Sequence, residues 1–223
     1  MTVQLDFLQS IPYFKGLSTG ELELSGKLMI ERKFEKGEML ILEDEIALSL
    51  FFIVSGVLKT FKTSIEGKEQ ILNILRPGDS FNDVPVFDNE PSPVSIQTLS
   101  SVVLYELRKE NMAEIIRKNP KIALNVITIL AGQVRRLMSL VEDLSFRNVV
   151  GRVAKILLEN IGDGAEPTQR LTQQEMAAMA GTVREVVGRS LKAMEGNGII
   201  KLNRNKIVIN NKEALKEMAG TSF

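Results

Sequence analysis

Short apolar or alternating segments, separated by turn residues, fill the chain from about Leu28 to Leu107. Glycines mark the turns at positions 37, 56, 67 and 78. Segments of this kind, with turn signals roughly every ten residues, are typical of an antiparallel sandwich or barrel. The pattern predicts strands at Leu50–Val54, Val57–Thr63, Ile71–Leu75, Val94–Leu99 and Val102–Leu107. Two short helical pieces are predicted before them, at Leu5–Leu8 and at Ser18–Leu28, where Ser18 and Glu21 form a capping box.

The periodicity changes to that of a long helix after Pro120. Apolar residues recur at intervals of three and four in a stripe wider than a single seam. We therefore expect the helix to bury one face on its own domain and another on a second chain. The predicted dimer contacts are Ile127, Val134, Met138 and Val141. The stripe breaks at Asp143–Phe146, which gives predicted boundaries of 1–119, 120–144 and 145–223, and the polar run Gly162–Pro167 is predicted to be a surface loop.

Two short helices and a hairpin are predicted after Leu171. Thr172 and Glu175 form a capping box at the start of a helix over 173–179, and Gly181 supplies a positive φ for the tight turn after it. A second helix over Thr182 to about Glu195 turns its apolar side inward, at Val183, Val186, Val187 and Leu191. Strands at Ile199–Leu202 and Lys206–Ile209 complete a winged helix-turn-helix, a unit whose second helix enters the major groove of DNA.

Composition removes most enzyme classes. The 223 residues include no Cys and no His, which excludes disulfides, thiolate nucleophiles, imidazole bases and the usual zinc, iron–sulfur and haem ligands. We predict no metal site and no enzymatic activity. The N-terminus lacks a signal-peptide pattern, and no uninterrupted apolar run approaches the ~18 residues of a membrane span, so we expect a cytoplasmic protein without a membrane partner.

The net charge of zero is unevenly distributed along the chain. Residues 1–144 hold 16 Lys and Arg against 20 Asp and Glu, whereas residues 145–223 hold 12 against 8. A basic excess in the C-terminal part agrees with the predicted DNA-binding unit, because a polyanion is attracted to a positive surface.

The segments Thr172-Gln173-Gln174-Glu175-Met176-Ala177 and Gly181 to Arg189 resemble the DNA-binding signature of the cyclic-AMP receptor protein/fumarate-nitrate regulator (CRP/FNR) family. The resemblance extends over nearly the whole chain. It implies an α+β fold: an N-terminal cyclic-nucleotide-binding-type β-roll (a double-stranded jelly roll), a long dimerisation helix and a C-terminal winged helix-turn-helix. It also implies a homodimeric transcription regulator that binds double-stranded DNA and contacts RNA polymerase.

The resemblance also implies individual DNA contacts. Family members that read TGTGA half-sites present Arg-Glu-x-x-Gly-Arg, and this chain has that arrangement from Arg184 to Arg189. Arg184 and Arg189 are expected to bind guanines and Glu185 a cytosine, which agrees with the chemistry of those side chains. The relatives that read TTGAT have Ser where this chain has Gly188. Expected phosphate contacts are Thr172, Gln173, Thr182, Lys201, Arg204 and Lys206.

The effector pocket departs from the family's cyclic-AMP site. Asn82 replaces a Gly of the family, and Asp83 replaces a Glu. Ser92 stands in the place of the Arg that neutralises the cyclic phosphate, and Pro93 in the place of a hydroxyl residue. On the long helix, Leu137-Met138 replace two hydroxyl residues that contact the base. The predicted pocket residues are Phe81, Asn82, Asp83, Ser92, Pro93, Val94, Leu137 and Met138. A buried phosphate without its Arg is costly, so we expect the effector not to be cyclic AMP.

Several alternatives remain open at this point. The effector could be a small apolar or aromatic molecule, a cyclic nucleotide held by a diverged phosphate site, or a nitrosative-stress signal sensed through an unusual haem, and the chain could also need no ligand. No cofactor is therefore assigned and the small-molecule effector stays unknown. A non-DNA-binding cyclic-nucleotide module is the competing functional class, but such a module has no use for the Arg184–Arg189 pattern or the hairpin.

Overall fold

The computed structural model describes residues 3–160, 171–203 and 206–220. Helices and strands are largely segregated along the chain, which is the predicted α+β order. The elements are α1 (Leu5–Ser10), a 3₁₀ turn (Pro12–Phe14), α2 (Thr19–Lys27), β1 (Met29–Phe34), β2 (Met39–Ile41), β3 (Ser49–Ser55), β4 (Leu58–Thr63), β5 (Glu69–Leu75), β6 (Ser80–Phe81), α3 (Asp83–Asp88), β7 (Ser95–Thr98), β8 (Val102–Arg108), α4 (Lys109–Lys118), α5 (Lys121–Phe146), α6 (Val149–Asn160), α7 (Gln173–Ala180), α8 (Arg184–Gly196), β9 (Ile200–Asn203), β10 (Lys206–Ile209) and α9 (Lys212–Met218).

The chain divides into two compact units. Met1–Lys62 and Asn73–Arg136 form the first unit, and Thr63–Leu72 and Leu137–Phe223 form the second. Each unit has its own apolar core.

Two four-stranded antiparallel sheets form the β-roll. Their strand orders are β1-β8-β3-β6 and β2-β7-β4-β5. Alternate apolar residues of both sheets form a core between them, to which Ile41, Ile53, Leu58, Ile96 and Leu104 contribute. The predicted jelly roll is confirmed, and every predicted strand is present. Helix α3, which contains a proline and lies between strands, was not predicted.

Helix α5 has two apolar faces. Ile122 and Val126 are buried in the core of the first unit, on the side that also packs Tyr13 and Phe52. Another row of apolar side chains is exposed to solvent in the single chain: Leu124, Ile127, Val134, Leu137, Met138, Val141 and Leu144. By length and composition alone, α5 could also cross a membrane.

The break in the apolar stripe at Asp143–Phe146 is not the end of the helix. Helix α5 continues to Phe146, two residues beyond the boundary that the sequence predicts. Asp143 in this segment binds Lys155 of α6, which explains why a polar residue interrupts the stripe without ending the helix.

Helices α6 to α9 and the hairpin β9–β10 form the winged helix-turn-helix. Val153, Leu157, Met176, Val187 and Leu191 are buried in its core. The hairpin pairs Leu202 with Ile207, within one residue of the predicted strand ends. The predicted surface loop Gly162–Pro167 lies outside the described residues.

Candidate nucleic-acid interface and effector pocket

The capping box predicted for α7 is present. The Glu175 amide donates to Thr172 Oγ1 at 3.1 Å, and the Thr172 amide donates to a Glu175 carboxylate oxygen at 2.6 Å. Gly181 ends the helix with φ of +62° and ψ of +43°, a left-handed conformation that glycine adopts without a steric cost. The local sequence therefore fixes both ends of the first helix of the motif.

The second helix begins later than the sequence predicts. Val183 is the N-cap of α8, and its side chain is about half exposed rather than packed inward as predicted. Valine cannot accept a hydrogen bond, so no side chain caps the first turn of this helix. The free N–H groups of that turn are consequently available to an anion such as a phosphate.

One face of α8 forms a concave surface of about 310 Å³ together with the start of α7 and the wing. The helix contributes residues at successive intervals of one and three, the spacing of a single face, and α7 and β9 contribute one residue each. The lining residues are Gln173, Arg184, Glu185, Gly188, Arg189, Lys192 and Leu202. All three predicted base-contacting residues therefore line one surface. Lys192, three residues after Arg189, was missed although its spacing places it on this face.

The cations of this surface are free to bind a ligand. Within the described part of the chain, the side chains of Arg184, Arg189 and Lys192 have no hydrogen-bond or ion-pair partner, and all three are exposed. The wing is held close by Glu195 in α8, whose carboxylate accepts a hydrogen bond from the Leu202 amide at 2.7 Å. The surface is thus positively charged and its edges are fixed by α7 and β9.

Thr172, Gln173 and Lys201 are exposed, and Thr182, partly exposed, directly precedes the Val183 N-cap. These four predicted phosphate contacts lie on α7, on β9 or in the turn before α8. Lys206 lies in β10, where its backbone pairs with that of Asn203. Arg204 lies outside the described residues.

The predicted effector pocket begins with two buried polar residues in the first unit. Asn82 has a φ of +66°, a conformation for which Asn is the best tolerated residue after Gly, and this explains the replacement of the family's glycine. Its amide nitrogen donates to the carbonyl oxygens of Ala47 and Ser49 at 2.7 and 2.8 Å. The Asn82 amide nitrogen therefore fixes the loop before β3 and its first residue, while the amide oxygen is buried without a partner.

Asp83 is almost fully buried and contacts α5. One carboxylate oxygen accepts a hydrogen bond from the Gln133 amide nitrogen, and the other has no partner. The Tyr13 hydroxyl lies nearby without hydrogen-bond geometry and is also unpartnered. Burial raises the pKa of Asp83, while Tyr13, Gln133, Ser80 and the charge of Arg136 oppose that rise. Sequence reasoning missed Gln133, which nothing in the helix pattern marks.

The position of the family's arginine is occupied by a residue that is satisfied internally. Ser92 is buried, its hydroxyl donates to the Val94 carbonyl at 2.8 Å, and its amide donates to the Glu45 carbonyl at 2.9 Å. Pro93 is exposed, and Phe81 is buried with its ring stacked on Phe51 at 4.9 Å.

The two α5 residues assigned to the pocket are on the exposed apolar face. The side chains of Leu137 and Met138 are 50% and 67% exposed in the single chain, beside Val134 and Val141. The described residues contain no group of three His, Cys, Asp or Glu that could hold a metal ion.

Comparison with known proteins agrees with both units. Residues 31–119 match the family described as "Cyclic nucleotide-binding domain", and residues 151–218 match the "Crp-like helix-turn-helix domain". The chain belongs to the CRP/FNR family of transcription regulators. The winged unit with its exposed arginines is therefore a DNA-binding domain of this family.

The CRP/FNR relatives match along nearly their whole length. The "Cyclic AMP receptor protein" of Thermus thermophilus is 28% identical over 95% of this chain and 98% of its own. The "CRP-like cAMP-activated global transcriptional regulator" of Mycobacterium tuberculosis is 29% identical over 92% and 95%. Among solved structures, FixK2 from Bradyrhizobium japonicum has the same fold, with a TM-score of 0.76 at 21% identity over 85% of this chain and 96% of its own.

The buried Asp83 gives a testable pH dependence. Because its pKa is raised in the folded protein, the folded state holds the proton more tightly than the unfolded chain, whose Asp pKa is about 3.9. The contribution of Asp83 to stability is therefore present at low pH and is lost as the pH rises through the folded-state pKa. Asp83→Asn keeps an acceptor for Gln133 and cannot ionise, so it should be more stable than the wild type at pH 7.

Urea unfolding between pH 4 and pH 8 checks this prediction, and the stability difference should shrink towards pH 4. Asp88→Asn, which changes an exposed carboxylate of the same helix, is the matched control and should show no such trend. If Asp83→Asn lowered the free energy of unfolding by the same amount at every pH, the raised pKa of Asp83 would be contradicted.

Proposed function

We propose that this CRP/FNR regulator acts as a homodimer that binds a palindrome close to TGTGA-N6-TCACA. The observation that carries the proposal is the concave surface on which Arg184, Glu185 and Arg189 lie together, exposed and free of internal partners. Two such surfaces, one from each protomer, would meet two half-sites about 34 Å apart.

The chemistry of these three side chains suits a TGTGA half-site. An arginine guanidinium donates two hydrogen bonds to O6 and N7 of guanine, and a glutamate accepts one from N4 of cytosine. Arg184 and Arg189 thus each recognise a guanine, and Glu185 recognises a cytosine on the opposite strand. Lys192 lies one turn beyond Arg189, at the far end of the same face.

Phosphate contacts fix the position of the helix on the duplex. The uncapped N–H groups at the start of α8 and the hydroxyls of Thr172 and Thr182 are donors at the edge of the concave surface. Thr172 Oγ1 accepts from Glu175 but keeps its own proton to donate. Lys201 on the wing, together with Arg204 and Lys206, supplies further sequence-independent attraction.

A second copy of the chain is the partner that the exposed face of α5 requires. Ile127, Val134, Met138 and Val141 are each more than half exposed, and they follow the helical repeat along one side. A row of large apolar side chains left in water is unfavourable by roughly 25 cal/mol for each Å². Pairing two α5 helices through this face buries it and brings the DNA-binding domains together as a dimer.

The effector is a small molecule other than cyclic AMP. The feature that supports this is Ser92, which stands in the place of the phosphate-binding arginine and is engaged with its own backbone. A cyclic nucleotide is the second candidate, because the Thermus thermophilus relative is named a cyclic AMP receptor protein. Like other DNA-binding regulators, the protein would work in the cytoplasm, with RNA polymerase as its partner and without a membrane.

Selection from random duplexes tests the sequence preference. Arg184→Ala or Arg189→Ala should cost roughly 1–3 kcal/mol per half-site and relax the preference at one base pair. Lys201→Ala should instead weaken binding to all sequences about equally and reduce the salt dependence, because a phosphate contact carries no base information. Enrichment of a TTGAT-like or asymmetric site would contradict the proposal, first of all at Arg184.

Sedimentation tests the dimer. Val134→Asp or Val141→Asp places a charge on the shared apolar face, so each variant should be monomeric and should lose about 100-fold or more in affinity for the palindrome. Leu24→Asp, which changes an exposed leucine of α2, is the control and should remain dimeric. Dimers of wild-type strength from both α5 variants would show that another surface joins the protomers.

Titration calorimetry decides between the two effector candidates. We expect no binding of cyclic AMP at micromolar concentrations. Ser92→Arg restores the phosphate-binding arginine of the family, so this variant should bind cyclic AMP weakly. It serves as the positive control. A micromolar or tighter dissociation constant for the wild type would establish the cyclic-nucleotide alternative.

A further inference from the structure

A cluster of charged side chains joins the last turns of α5 to α6, within the second unit. Asp143, Arg147 and Lys155 are 13%, 19% and 18% exposed. Asp143 Oδ1 accepts a hydrogen bond from Arg147 Nε at 2.6 Å, and Oδ2 accepts one from Lys155 Nζ. Lys155 Nζ also donates to Ser139 Oγ at 3.0 Å. One lysine of α6 therefore holds two successive turns of α5.

The cluster continues into the helix-turn-helix. Arg152, also in α6, donates from Nη1 to the Arg147 carbonyl at 2.6 Å and from Nε to the Ala180 carbonyl at 2.7 Å. Ala180 is the last residue of α7, directly before the Gly181 turn. Polar contacts thus run from the end of α5, through α6, to the turn that precedes the recognition helix α8.

The exposed apolar face of α5 lies on the same turns of the helix. On one side of these turns, four apolar side chains are exposed to solvent: Leu137, Met138, Val141 and Leu144. On the other side, Ser139 and Asp143 contact α6. The helix end therefore has one side for the partner protomer and another side for its own DNA-binding domain. Within the second unit, these contacts hold the last turns of α5 to α6 of the DNA-binding domain.

We propose that Asp143 and Lys155 are positioning residues that set the spacing between the two half-sites read by the dimer. The inference rests on the proposed homodimer. Neither residue lies on the concave surface of α8, so neither contacts a base. Their pairing fixes the angle at which each DNA-binding domain leaves the dimer helix, and this angle determines the distance between the two recognition helices.

The energetic reason is the gain from bivalent binding. Once one half-site is bound, a correctly placed second domain binds as if at high local concentration, and this gain reaches about 10²–10⁴-fold when the geometry fits. Loss of either partner releases the α5–α6 contact, because Arg147, which also binds Asp143, does not belong to α6. The gain in affinity from bivalent binding then becomes smaller and depends less sharply on the length of the spacer between the half-sites. Affinity for a single half-site is unchanged.

The experiment measures the affinity of full-length variants for three kinds of duplex. These are the selected palindrome, the same duplex with one half-site scrambled, and a series with spacers one and two base pairs shorter or longer. The variants are Asp143→Asn and Lys155→Met. Glu159→Gln is the matched control, since its carboxylate is also near Lys155 Nζ, at 3.9 Å, but it is exposed and lies on the same helix as Lys155. Lys155→Arg tests rescue by a conservative change.

We expect Asp143→Asn and Lys155→Met to lose roughly tenfold in affinity for the palindrome and to show a flattened spacer optimum. Affinity for the single half-site should match the wild type, which also shows that the DNA-binding domain is folded. Glu159→Gln should behave as the wild type, and Lys155→Arg should keep the optimum. An unchanged optimum in Asp143→Asn and Lys155→Met would overturn the inference alone. A wild type that binds the palindrome no better than one half-site would overturn both the inference and the proposed dimeric readout.

Discussion

The apolar surface of α5 is the constraint on which the other features of the molecule depend. One face of this 26-residue helix is buried in the β-roll unit by Ile122 and Val126, and another is left in water by the single chain. A helix of this kind is typical of a helix–helix interface, and in the proposed homodimer a second α5 would cover its free side. The helix also carries polar contacts at two levels, with Gln133 bound to Asp83 and, three turns later, Asp143 bound to Lys155.

Much of the DNA-binding domain could be predicted from sequence because its determinants are local. The capping box at Thr172, the positive φ of Gly181 and the hairpin depend on residues within a few positions of one another, and the structure confirms all three. The start of α8 was misplaced by about two residues, since Val183 is an uncommon N-cap and its branched apolar side chain suggests an inward position. Lys192 follows from the helical spacing once the helix is placed.

From the sequence, the effector region could be predicted only as a departure from the cyclic-AMP site of the family. The replacements at positions 82, 83, 92 and 93 are visible in the sequence, but the contacts that compensate for them are not. Asn82 binds two carbonyl groups more than 30 residues away along the chain, and Asp83 pairs with an amide 50 residues later. Contacts of this range depend on the packing of the sheets and α5, which no local pattern encodes. The end of α5 was misjudged for the same reason, because Asp143 is satisfied by a residue of the next helix.

The valine at the start of α8 links the stability of the recognition helix to its ligand. A serine or aspartate in that place would stabilise the free helix by about 1 kcal/mol through its side-chain hydrogen bond. Without it, the first turn has amide groups that only water satisfies in the free protein. In the proposed complex, a backbone phosphate at this turn would accept the hydrogen bonds that a capping side chain would otherwise accept. The duplex would then itself be the missing cap, and part of the order of α8 would come from the DNA that this helix binds.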